Sequence, residues 1–153
     1  MTSPIYYGDR YVMMNNMQFY SLLEFALQVG LVLDLSREDA AEVARVEADI
    51  ESGAQWNGKG FDIEEDFPDV SQCQLWSRLY REVAHGIYRR ALGRYVDTGY
   101  ASMQIGQAYA AGILLQEAAI VKLGKRWSPK LMSEDDWASI DPMFKQLHEK
   151  RCP

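Results

Sequence analysis

Apolar residues recur at steps of three and four over most of the chain, the period of an α-helix. Met17, Tyr20, Leu23, Leu27 and Leu31 make one row and Phe19, Leu22, Ala26 and Val29 a second, predicting a helix over 16–33 capped by Asn15 or Asn16. Glu24 is its one charge, so this helix belongs near the middle of a bundle. Ser36 with Asp39 opens a second helix over 37–52, amphipathic, with Ala40, Val43, Val46 and Ile50 inward and Gly53 as its stop.

A third helix is predicted over 72–92, capped by Asp69 or Ser71. Leu75, Leu79, Val83 and Ile87 form one row, Trp76, Tyr80, Ala84 and Tyr88 the next, and Gly93 ends it. A fourth is predicted over 98–123, ending at Gly124. Ser102, Gly106 and Ala110 form a small face that allows close helix approach, and Gly106 and Gly112 imply packing reasons of their own. After a linker at Trp127-Ser128-Pro129, Ser133 and Asp136 open a last helix from Glu134 with Trp137, Ile140, Phe144 and Leu147 inward. Pro142 is expected to kink or split it.

Two stretches break the pattern. Residues 1–15 read as an extended arm or a short strand pair, and residues 54–70 as a long irregular loop with Trp56-Asn57-Gly58-Lys59-Gly60 as a turn. The expected fold is all-α: one domain over 1–153, a bundle of about five helices with an irregular N-terminal arm and one long acidic loop.

Composition narrows the function classes. A chain of 153 residues can bury a core without staples. Its net charge of −6 opposes nucleic-acid binding, and Arg78, Arg81, Arg89, Arg90 and Arg94 read as the solvated face of a helix. Residues 99–116 carry no charge, but Ser102, Gln104, Gln107 and Gln116 fit a soluble bundle better than a membrane span. Cys73 and Cys152 have no metal-ligand spacing, and residues 1–15 lack the apolar run of a secretory leader, so the expected compartment is the cytoplasm.

Catalytic patterns are sparse. There is no GxxxxGK[ST], GxGxxG or GxSxG. Cys73 and His85 would lie roughly 18 Å apart along one helix, too far for a thiolate and its base. Glu82-Val83-Ala84-His85 is one part of a helical carboxylate metal site, but His148 follows Lys145 and supplies no second half. No cofactor is expected. A bundle enzyme or metal-binding protein using Glu82, His85 and Tyr109 is the alternative to a binding protein, and a homo-oligomer packed through the glycine-bearing faces of the fourth helix is a third reading.

The loop gives the leading partner-binding candidates. Asp62, Glu64, Glu65, Asp66 and Asp69 interleave with Phe61, Ile63 and Phe67, and apolar anchors ringed by charge suit a protein interface. The same interleaving also fits a loop tucked onto the core. The acids lack the glycine of a calcium loop.

Between 75 and 129 the chain reads LWSRLYREVAHGIYRRALGR, then MQIGQAYAAGILLQEA, then Trp-Ser-Pro. This stretch resembles the small helical immunity proteins that accompany bacterial polymorphic and contact-dependent toxins. The resemblance covers about a third of the chain and rests on helix pattern and the Ile-Tyr-Arg-Arg-x-Leu-Gly step at 87–93. It implies a cytoplasmic protein that binds and neutralises a cognate toxin domain, and it carries over no functional residues.

Overall fold

The computed structural model describes residues 2–52, 60–93 and 98–151, with the backbone alone at 91–93, 98 and 144–151. The element order is β1 (Ile5–Tyr7), β2 (Arg10–Val12), α1 (Asn16–Val32), α2 (Arg37–Ser52), β3 (Phe61–Asp62), α3 (Ile63–Asp66), α4 (Val70–Gly93), α5 (Thr98–Leu123) and α6 (Glu134–Arg151). The protein is a predominantly helical bundle, as the periodicity predicts. None of the described helices is long and apolar enough to cross a membrane.

The α4–α5 pair is the spine of the bundle. Leu75, Trp76, Leu79, Tyr80 and Val83 of α4 are buried, and α5 meets them with small residues, Ala108, Ala111, Ala118 and Ala119. Gly112 makes the closest approach. A Cβ there would sit 2.7 Å from Arg81 Cγ, and its carbonyl accepts the Ser77 hydroxyl at 2.8 Å. The packing reason expected for Gly112 is therefore present; for Gly106 it is absent, because a Cβ there meets no atom within 4 Å.

α1 lies on α4, and its buried run is Phe19, Leu22, Leu23, Ala26, Leu27 and Val29. Met17 and Leu31, expected inward, are exposed because they sit at the two ends of the row, beyond the buried centre. Asn15 caps α1 through a reciprocal box, accepting from Gln18 N–H at 2.8 Å while its own N–H donates to Gln18 Oε1 at 2.9 Å. Val43 of α2 fills the space at Gly30 of α1, where a Cβ would come within 3.0 Å of it.

The N-terminal arm is a hairpin turning at Gly8 (φ 63°), and β1 also pairs in parallel with β3, giving the order β2-β1-β3. The third strand corrects the expectation of a wholly irregular loop over 54–70: Phe61–Asp62 is a strand, and Ile63–Asp66 a helical turn. A two-residue strand has no period to read in sequence and exists only because β1 supplies its partners. The expected turn at Trp56 to Gly60 lies outside the described residues except for Gly60.

α6 passes through Pro142 as one helix, so the expected split does not occur. Proline removes one helical N–H, and the carbonyl one turn back belongs to Ala138; both residues are exposed, so water can satisfy it. Ser133 and Asp136 cap this helix reciprocally, at 3.1 and 3.0 Å. Trp137 is buried in a slot against Phe25 and Gly86.

Candidate functional site

The acidic stretch begins at Gly60, where φ is 67° and a Cβ would lie 1.9 Å from the Pro4 carbonyl oxygen. Only glycine lets the chain pass so close to β1. Phe61 N–H then donates to that oxygen at 3.0 Å. From here the apolar residues turn inward. Phe61 stacks edge-on against Phe19 and Phe67, both at 4.9 Å between centroids, and Phe67 reaches Trp76 at 5.7 Å.

Phe61, Ile63 and Phe67 are completely buried, which corrects their expected role as anchors presented to a partner. Their large apolar area is already spent on this molecule's own core, since α1, β1 and α4 close over them. What remains outside is carboxylate. Glu64, Glu65 and Asp69 are exposed, and Asp62 and Asp66 are half-buried.

These acids are fixed by local geometry. Asp62 caps α3, accepting from Glu64 N–H at 3.1 Å, and its own N–H donates to Asp66 Oδ2 at 2.8 Å. Burial raises the Asp66 pKa, aided by the charges of Asp62 and Glu65 against the Asp62 N–H and Arg45. The Tyr6 phenol is likewise raised, by desolvation and by the carboxylates of Asp62, Glu65 and Asp66.

The acidic ledge continues onto α2. An open groove of about 280 Å³ is lined by Glu38, Asp39, Glu42 and Arg45 of α2 with Asp69 and Gln72 at the start of α4. Glu42 stands at its floor. It accepts from Arg45 Nη2 at 2.7 Å and Nε at 2.9 Å, from Gln72 Nε2 at 3.1 Å and from Trp76 Nε1 at 3.2 Å. Burial alone would raise the Glu42 pKa; these donors outweigh it and hold the carboxyl below its usual value. Nothing in the sequence spacing of Glu42, Gln72 and Trp76 announces this node, apart from the Glu42–Arg45 step of one helical turn.

Glu82 and His85 serve different partners. Glu82 is buried, accepts Met132 N–H at 3.0 Å, and lies beside the Trp137 indole; burial raises its pKa against that donor and the charge of Arg78. His85 pairs with Glu134 of α6, and Arg89 binds both Glu134 and, at 2.7 Å, Asp141. The cluster ties α6 to α4. Among the described residues no three His, Cys, Asp or Glu side chains come together to hold a metal. Tyr109, grouped with this pair in the enzyme reading, lies under the Arg81 guanidinium at 4.9 Å instead.

The arginines of α4 do not form a solvated face either. Arg81 donates to Gln116 at 2.8 Å, Arg89 binds α6, and Arg90 covers the Phe25 ring at 5.2 Å, all half-buried; Arg94 lies outside the described residues. Cys73 is buried, donates to the Phe67 carbonyl at 3.3 Å, and burial raises its pKa, so its thiol is set against nucleophilic chemistry. Cys152 lies outside the described residues.

No protein-family model, curated protein or solved structure matches this chain.

Proposed function

We propose that this is a protein-binding module whose partner surface is the acidic ledge made by Asp62, Glu64, Glu65, Asp66 and Asp69 together with the α2 groove. One observation carries the reading: Asp69 lines the α2 groove with Glu38, Asp39 and Glu42, the charge of Asp66 acts on Arg45 of that groove, and Phe61, Ile63 and Phe67 are locked in the core. A rigid array of like charge suits a basic protein surface. It steers association and is already ordered before the partner arrives.

The partner that fits best is a basic catalytic domain, such as a toxin that cleaves nucleic acid, which makes the role that of an immunity-type protein acting in the cytoplasm. Support comes from the acidic sign of the chain and from the resemblance of residues 75–129 to such proteins.

The test is capture from the source organism's lysate with wild type and with Glu64→Lys, Glu65→Lys, Asp69→Lys in one chain. A single stoichiometric partner held by wild type, eluted by salt and lost by the variant supports the proposal. Equal capture by both, or no partner for either, removes the ledge from it.

A further inference from the structure

We propose that residues 125–151 form a strap that hinges at Gly124 and is shut on α4 by Trp137 and Glu82, opening without the rest of the bundle and opening further as Glu82 ionises. Gly124 follows α5 at φ 69°, and a Cβ there would meet no atom within 4 Å. Beyond it the chain is thinly attached. Among the described side chains of 121–143, Trp137 alone is buried. Trp127, Met132 and Ile140 are half-buried against the core. A segment that buries so little apolar surface opens at a lower free energy than the core it lies on.

The other ties are polar. Gln116 of α5 donates to the Trp127 carbonyl at 3.0 Å, and Glu82 accepts Met132 N–H at 3.0 Å. His85 and Arg89 of α4 bind Glu134, and Arg89 binds Asp141 at 2.7 Å. The Glu134 and Asp141 side chains are 65% and 48% exposed, and ion pairs open to water contribute little. The deep anchor is the Trp137 ring, seated over Gly86 beside Phe25.

Glu82 makes this closure sensitive to protons. The shut strap covers a carboxyl that accepts Met132 N–H and lies beside the Trp137 indole. Desolvation raises its pKa, outweighing Met132 N–H and the charges of Arg78 and His85 on its own helix. Of the charged residues described on the strap, Glu134 and Asp141 pair with His85 and Arg89. Asp136 accepts Ser133 N–H and feels Lys130, while Asp135, Lys125 and Arg126 are exposed. α1 brings Phe25 to the slot, and its one charged residue is Glu24. Lifting the strap returns Glu82 to water, where it ionises as an ordinary carboxylate. The shut form holds its proton more tightly. As pH rises from the open-state value through the shut-state one, the balance therefore moves toward open.

Hydrogen exchange of the full chain, read by mass spectrometry from about pH 4 to about pH 8 and corrected for the intrinsic rate, tests this. Amides of α6 are expected to exchange roughly tenfold or more faster than those of α1, α4 and α5. Their protection should fall by up to about tenfold per pH unit between the two values. Glu82→Gln keeps an acceptor for Met132 N–H but cannot ionise, and should hold that protection level. Trp137→Ala should speed exchange in α6 and leave α1, α4 and α5 protected, which also shows that the variant folds. Amides of α6 as slow as those of α4 overturn the inference, because the strap would then open only with the whole fold. So does α6 protection that is constant with pH, or a pH trend that Glu82→Gln leaves intact. A Trp137→Ala chain whose core loses as much protection as α6 overturns it too.

Discussion

Glu42 of α2 accepts the Trp76 indole N–H of α4 at 3.2 Å, and this bond joins the floor of the acidic groove to the hydrophobic core. A carboxylate with that many fixed donors is a structural node as well as a charge. It explains how α2, amphipathic and peripheral, holds its acids beside Asp69 and the start of α4.

Glu42→Ala should therefore destabilise the fold by about 1–3 kcal/mol, because it leaves the Trp76 and Gln72 donors without their acceptor. Urea unfolding monitored by circular dichroism measures it. A change near zero would mean that water replaces the carboxylate at no cost.

The same residue sets one acid dependence. Its folded pKa lies below the unfolded value, so it binds fewer protons when folded. Its contribution is present above the unfolded pKa and is lost as pH falls through the folded one. Glu82 has the opposite sign. Burial raises its folded pKa, so the folded state binds the extra proton, and stability falls as pH rises from the unfolded value through the folded one. Glu82→Gln keeps an acceptor for Met132 N–H and should flatten that fall, leaving the variant equal to or more stable than wild type at neutral pH. Denaturation midpoints across the acidic-to-neutral range decide it; an unchanged profile contradicts the assignment.

Two glycine substitutions should act in opposite directions. At Gly86 a Cβ would lie 2.9 Å from Trp137 Cη2 and 3.0 Å from Phe25 Cε1, between two rings with no room to yield. Gly86→Ala should cost about 1–3 kcal/mol and shift the tryptophan emission as Trp137 is pushed outward. Gly106→Ala meets no atom within 4 Å and, in dilute protein, should gain about 1 kcal/mol from helix propensity. Thermal melts of the two variants beside wild type check both signs.

Cys73 should resist thiol reagents in the native state. In a Cys152→Ser background, its labelling at mildly alkaline pH is expected to follow opening of the core and to become rapid only in denaturant. Fast native labelling would show a thiol more accessible than its burial allows.

Much of the helical architecture was legible from periodicity and caps. Most of the rows on α1, α2 and α4 point where they were expected to, but Met17 and Leu31 of α1, Ala40 of α2 and Tyr88 of α4 are exposed, because exposure there depends on how far the packing partners extend. Local rules cannot supply that. Strand β3 was hidden because its partner is β1, more than fifty residues away in sequence. The site was half legible. The acids of 62–69 were evident as a cluster, but an alternating Phe-Asp-Ile pattern cannot say whether the apolar residues face a partner or the core. The stack of Phe19, Phe61, Phe67 and Trp76 decides it. The Glu42 node and the Arg89–Glu134 tie join residues distant in sequence and had no local signal.

The most direct measurement is the association rate constant of the captured partner with wild type and with the Glu64→Lys, Glu65→Lys, Asp69→Lys chain, taken across ionic strength. If the ledge is the binding surface, the wild-type rate falls steeply with salt, and the variant associates roughly tenfold or more slowly at low salt with that slope flattened or reversed. Equal rates and equal slopes would place the partner elsewhere on the molecule.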